Sequence, residues 1–268
     1  MRKLLNKALQ PWGYQIAKLS KHLSVPGVYE PLREAPRYTE QTVQLCDRDF
    51  RIADAASFYY SHKEIFGDHI YKFKTNSKQP IILDCGANCG VSAIYFKELY
   101  PDAHLTCVEA DPNIFEILKS NLNLRHYKNL ELVNRAISTS EGTITFQQEG
   151  ADAGRSKPAS PSENLIEIPT IQLDDLIHGP VDFLKMDIEG SETEVICSSK
   201  KLDNVCQLFI EYHSFKDSPQ TLSELLEKLS DCGFRYYIHT QFCSPRPLTK
   251  ESLQLDMDLQ LNIFAKRW

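Results

Sequence analysis

The sequence predicts an α/β fold: a mostly parallel sheet with helices on both faces, with residues 80–268 as the domain and residues 1–79 as an N-terminal extension. Three observations predict it. After Pro80, short β runs alternate with helices of clear apolar period across short connections. The stretch ILDCGANCG, residues 82–90, places glycines where a strand should pass into a helix. A chain of 268 residues, 42% hydrophobic and 25% charged, has the composition of a globular protein with one full core.

Taken in order, residues 1–24 carry five basic residues and no acid, with Leu4, Leu5, Ala8, Leu9 and Trp12 at helical spacing. This reads as a short helix docked on the domain or a partner, with weak contact to an anionic membrane surface as the alternative. Prolines in 25–37 suggest a linker. Residues 58–73, with Tyr59, Tyr60, Ile65, Phe66, Ile70 and Tyr71, are too apolar for a solvated tail; they either pad the sheet or close over a ligand.

Residues 81–83 form the first strand of the domain, followed by a helix with Val91, Ile94, Tyr95 and Leu99 on one face. Residues 105–108 are the next strand. Asp111 is a fitting N-cap and Pro112 a fitting first residue for a helix bearing Ile114, Ile117, Leu118 and Leu122. Residues 130–133 repeat the unit. Glu141-Gly142 suggests a hairpin into 143–146, and 150–163 reads as a loop that is a lid or disorder. Residues 183–186 and 208–210 are buried strands with polar residues at their carboxyl ends. Ser218-Pro219 opens a helix with Leu222, Leu225, Leu226 and Leu229, and residues 236–239 and 261–265 form a closing antiparallel pair.

A net charge of −6 argues against nucleic acid as a partner. Eight irregularly spaced cysteines without a leader segment point to a reducing cytoplasm, and Cys85 and Cys89 read as small packing residues. No run approaches the ~18 apolar residues needed to span a bilayer.

The turn itself indicates its ligand. A dinucleotide fold would place glycine where Asn88 stands, and Asp84 would repel a pyrophosphate. A ligand with a sulfonium and an amino group, as in S-adenosylmethionine, would instead be attracted by Asp84. Gly86 and Gly90 allow close backbone approach, and Asn88 tolerates a left-handed turn. Glu109, about twenty residues on, stands where nucleotide folds keep their ribose acid.

ILDCGANCGVSA, VEADP, VNRAIS, LKMDIEGSE and FIEYH, in that order, resemble the FkbM family of S-adenosylmethionine-dependent methyltransferases. The resemblance runs from about residue 58 to the C-terminus, and its specific parts are the DxGANxG turn and KMDIEGSE. It implies a Rossmann-like class I methyltransferase sheet of seven strands with an antiparallel last strand. It also implies that Asp84, Gly86, Ala87, Asn88 and Gly90 line the methionine and ribose portion of the cofactor, that Glu109 holds the ribose, and that Ala110 and Ala136 flank adenine. Methyl transfer to a hydroxyl of a sugar, glycan or secondary metabolite is the activity it implies.

Transfer to an alcohol needs a proton acceptor near the methyl carbon. Asp187, Glu189, Glu192, Glu211 and His213 follow two adjacent buried strands. His213 is the expected general base, since an ordinary histidine is largely neutral at pH 7. Asp187 would hold the cofactor's amino group or orient His213, Glu211 stands with them, and Glu192 reads as a first-turn helix acid. A histidine at a strand end is equally read as a cap. No metal is assigned, because the spacing does not demand one; a metal-assisted O-methyltransferase using Asp187, Glu211 and His213 is the alternative. A nicotinamide-dependent oxidoreductase and a non-catalytic cofactor-binding scaffold are the readings from other classes.

Overall fold

The structure, a computed structural model, describes residues 27–147, 165–250 and 252–267. The expected helix in 1–24, its membrane contact and the loop 150–163 lie outside the described residues. Residues 25–37 are not simply a linker: Glu30–Glu34 is a 3-10 turn, and Tyr29 and Leu32 pack on the core. A hairpin that the sequence did not announce follows, β1 (Gln41–Leu45) with β2 (Arg48–Ile52). Cys46 and Asp47 both have positive φ at its tip, the geometry of a tight hairpin turn reached without the usual Asn-Gly signal. Helix α1 (Ala55–His62) starts at Asp54, whose carboxylate accepts the Ser57 N–H, and loosens into a π turn over Lys63–Gly67.

The domain proceeds through β3 (Ile81–Cys85), α2 (Val91–Leu99), β4 (His104–Glu109), α3 (Pro112–Asn123) and β5 (Leu130–Asn134). Asp111 caps α3 as expected, accepting from the Asn113 and Ile114 N–H groups. Then come β6 (Ala136–Ser138), β7 (Thr143–Gln147) and β8 (Leu165–Gln172). These form a separate small sheet in the order β6-β8-β7, so no hairpin joins β6 to β7: β8 lies between them. The chain continues with α4 (Leu173–Leu176), β9 (Val181–Met186), α5 (Glu192–Ser198), β10 (Val205–Phe215), α6 (Leu222–Asp231), β11 (Arg235–Cys243) and β12 (Met257–Lys266). Helix α6 begins after Thr221 rather than at Ser218-Pro219.

The main sheet has seven strands in the order β11-β12-β10-β9-β3-β4-β5. All pairs from β10 to β5 are parallel, and β12 runs antiparallel between β10 and β11. Alternate residues feed opposite faces: Phe209 joins the core beneath α2 and α3, whereas Leu208 and Ile210 join the core beneath α5 and α6. The first of these cores also contains Phe50, Phe58 and Phe66, so the extension and the sheet share one apolar interior. Asn121 on α3 reinforces this: its side chain bonds both the N–H and the carbonyl of Arg51 in β2 and the carbonyl of Cys89, each at 2.8 Å. Strands proceed outward from β3 to β5 and then return to β9 on the other side of β3. That reversal opens a crevice over the carboxyl ends of β3 and β9. Among the described residues no helix is long and apolar enough to cross a membrane.

Candidate active site

A cavity of about 690 Å³ occupies this crevice, within the range of ligand sites. Its floor is the turn between β3 and α2. The N–H groups of Gly86 and Ala87 both reach the Val108 carbonyl at 2.9 Å, binding the turn to β4. Gly86 has φ +83°, and a Cβ there would lie 1.7 Å from the Asp187 carbonyl oxygen, so no side chain fits between the turn and the end of β9. Asn88 takes the left-handed conformation expected of it, at φ 47°.

Glu109, at the end of β4, faces the same turn. One carboxylate oxygen accepts the Asn88 N–H and the other the Asp111 N–H, each at 2.9 Å. Burial pushes this carboxyl up to about 7, although both hydrogen bonds favour its ionised form. Each oxygen keeps a lone pair for a ligand hydroxyl. Beyond Glu109 the wall becomes apolar, with Ala110, Ala136, Ile144 and Phe146 lining the cavity.

Asp84 departs from expectation. It is fully buried, it does not line the cavity, and its carboxylate accepts from Ser92 Oγ at 2.6 Å. Its partner across β3 and β9 is Lys185, whose Nζ stands 3.5 Å from Asp84, 3.2 Å from Asp187 and 2.5 Å from the Gly86 carbonyl. Asp84 therefore meets its counter-charge inside the protein and cannot make the direct contact to a bound cation that its position in the turn suggests. Burial raises its carboxyl, only partly offset by Lys185 and Ser92. Burial also opposes the Lys185 charge, but Asp187, Tyr71 and Asp84 outweigh it, so Lys185 titrates well above the usual lysine range. Lys185 is the charged member, because two carboxylates and a carbonyl converge on it. The sequence does carry a signal for it: a lone lysine inside an otherwise apolar buried run.

The far half of the cavity is lined by Asp187, Glu189 and Glu211 together with Glu64 from the π turn. Glu211 and His213 lie within β10 rather than beyond it. Pairing of β10 with β9 ends at Ile210 opposite Met186, while pairing with β12 continues to Phe215. The overhang brings Asp187, Glu211 and His213 together, with one ligand-capable atom from each inside 4.8 Å of the others. His213 is buried and does not line the cavity. Its Nδ1 is 3.1 Å from Glu192, its Nε2 is 3.7 Å from Glu189, and the Gln260 amide is 3.4 Å from Nε2. Burial disfavours a charged ring, but Glu189, Glu192 and Glu211 more than compensate and move its pKa well above the ordinary histidine value. His213 is thus held on both ring nitrogens by its neighbours rather than standing free at the cavity as a base. Glu192 does more than favour a helix dipole: buried, it accepts from the Ile188 and Gly190 N–H groups at 3.0 Å and holds His213. The aromatic segment mostly pads the core; Phe58 and Phe66 are buried, while Tyr60 reaches the cavity.

The Methyltransferase FkbM domain model matches residues 84–236, more than half of the chain. The chain belongs to the FkbM methyltransferase family. As an FkbM methyltransferase it uses S-adenosylmethionine, which sets aside the nicotinamide and non-catalytic alternatives. The chain is 25% identical over 188 residues to the methyltransferase sdnD of Sordaria araneosa, spanning 54% of this chain and 73% of that one. It is 30% identical over 144 residues to the 2-O-methyltransferase NoeI of Sinorhizobium fredii, spanning 46% and 58%. A solved methyltransferase FkbM from Methylobacillus flagellatus superposes with a TM-score of 0.47 at 15% identity, covering 88% of this chain and 57% of that one.

Proposed function

We propose that this FkbM methyltransferase methylates a hydroxyl of a polyhydroxylated small acceptor: a sugar, a glycan or a secondary metabolite. One observation carries the proposal. Opposite the cofactor turn the cavity is lined by hydrogen-bonding side chains, Tyr60, Ser61, Glu64, Gln241, Gln260 and Glu211, the kind of wall that hydroxyl groups satisfy. The printed activity of NoeI, 2-O-methylation, supports oxygen as the accepting atom.

The residues present fit the cofactor. Gly86, Ala87 and Asn88 supply a close backbone wall, Glu109 takes the ribose hydroxyls, Ala110 and Ala136 flank adenine, and Asp187 faces the amino group, whereas Gly90 lies off the cavity against Leu118 and Leu122. Bound there, S-adenosylmethionine supplies an electrophilic methyl carbon on sulfur. Asp84 supports the turn from beneath through Lys185. Burial raises both carboxyls that border the cavity beside His213, Glu189 well above the usual range and Glu211 to about 8. Either accepts the acceptor's proton once it has ionised, and His213 is a positioning residue behind them. Eight free cysteines suit the cytoplasm as its location.

The test is incubation with methyl-labelled cofactor and a panel of saccharides. A methyl ether on a saccharide hydroxyl is the expected product; label found only on nitrogen, or only on RNA, would refute the proposal. A second expectation concerns pH. The ionised Glu109 accepts the ribose hydroxyls, so affinity for S-adenosylhomocysteine should fall as pH drops through about 7, approaching tenfold per unit below it. Stability moves the other way. A carboxyl raised above its unfolded value of 4.5 stabilises the fold most at low pH, and that contribution is lost as pH rises through about 7. Calorimetry across this range should show the trend in the native chain and a flat, weak response in Glu109→Gln.

A further inference from the structure

The geometry points to a divalent-cation site formed by Asp187, Glu211 and His213 at the acceptor end of the cavity. Strand register builds it. Glu211 and His213 are two apart on β10 and so share one face. Asp187 and Glu211 are the first residues past the last β9–β10 pair, which places them side by side. The three offer one nitrogen and two oxygen ligand atoms within 4.8 Å of one another, against about 3 Å between neighbouring ligands of an octahedral ion bound at ~2.1 Å. Asp187 also faces the Lys185 ammonium at 3.2 Å, so ligation turns its carboxylate from that lysine toward the ion.

A second observation, independent of the carboxylates in the cluster, concerns the histidine. Glu192 is not a member of the cluster, yet it fixes the ring through Nδ1 and leaves Nε2 turned toward Glu189, Gln260 and the cluster. Metal-ligating histidines are commonly held in this way, by a carboxylate on the nitrogen that does not bind the ion. Glu192 is itself fixed by two backbone N–H groups, and the Gln260 amide donates to Glu211. The His213 and Glu211 side chains are therefore held from behind. One imidazole with two carboxylates suits Mn²⁺ better than Mg²⁺, because manganese accepts nitrogen more readily.

Three protein ligands leave coordination positions open for water and an acceptor hydroxyl. Resting on the methyltransferase reading above, the cation acidifies that hydroxyl. The O–H bond breaks with its proton passing to the Glu189 carboxylate. An oxygen lone pair forms the new O–C bond as the C–S bond breaks, and its electron pair returns to sulfur as a neutral thioether. The cation's charge does not change.

The experiment titrates Mn²⁺ into the chelator-treated full chain and follows loss of the free-ion electron paramagnetic resonance signal. One Mn²⁺ per chain is expected. Glu211→Gln should weaken uptake at least about tenfold while leaving S-adenosylhomocysteine affinity within about twofold, which shows that the variant is folded. Lack of uptake by the native chain at millimolar Mn²⁺ would overturn the site, as would unchanged uptake by the folded Glu211→Gln chain. Chelator-treated enzyme should also lose methyl transfer and regain it with Mn²⁺; full turnover without metal would overturn the catalytic part. If no saccharide is methylated under any condition, the acceptor reading fails, while the uptake measurement still decides the metal site.

Discussion

A Gly86→Ala chain is expected to lose about 3–5 kcal/mol of stability and all measurable affinity for S-adenosylhomocysteine. Two costs combine. The residue sits at φ +83°, where a side chain strains the backbone, and the added Cβ would be 1.7 Å from the Asp187 carbonyl oxygen. That obstacle is backbone, so relief requires the turn to move off the end of β9. Such a shift would stretch the Asp187 N–H bond to the Cys85 carbonyl, 3.1 Å long, and the Lys185 bond to the Gly86 carbonyl. Gly90 is the control. Its added Cβ would meet Leu118 Cδ1 at 2.8 Å, the end of a side chain that can rotate. Gly90→Ala should therefore cost about 1–3 kcal/mol, mostly from strain at φ +97°. Urea unfolding compares the two, and equal losses would mean that contact with β9 is not what demands glycine at 86.

Lys185→Met should destabilise the chain by about 3–5 kcal/mol, because it strands the buried Asp84 without its counter-charge. Adding Asp84→Asn removes the stranded charge and should recover more than half of the loss. A double-mutant cycle measures this directly. Strictly additive losses would show that the two side chains do not depend on each other, and the account of a turn supported from beneath would fall. Cofactor affinity should remain weak even in the recovered double variant, since the Gly86 carbonyl still lacks the lysine that draws it toward β9.

These residues show what one sequence discloses and what it withholds. The parallel units were legible because local periodicity and caps such as Asp111 announce them. The first hairpin was not, since Cys46-Asp47 has no composition that marks a tight turn. The order β6-β8-β7 depends on a strand distant in sequence, which local pattern cannot reveal. At the site, the position of Glu109 facing the turn was legible because its place at a strand end fixes its direction. Asp84 was found, but not its burial or its pairing, because Lys185 arrives from a strand far along the chain. His213 was recognised by type, whereas its charge is set by Glu189 and Glu192 around it. Residue chemistry was readable; the neighbours that tune it were not.

The cavity draws its two halves from different parts of the chain. One wall comes from the turn, β4 and the small sheet, the part proposed to seat the donor, whereas much of the rest comes from α1 and the π turn before them and from β11 and β12 after them. Heritable change can therefore act on one half at a time. On the proposed reading, substitutions at Tyr60, Ser61 or Gln241 would change the acceptor wall and leave the turn and β4 untouched, so a new acceptor could be recruited in single steps.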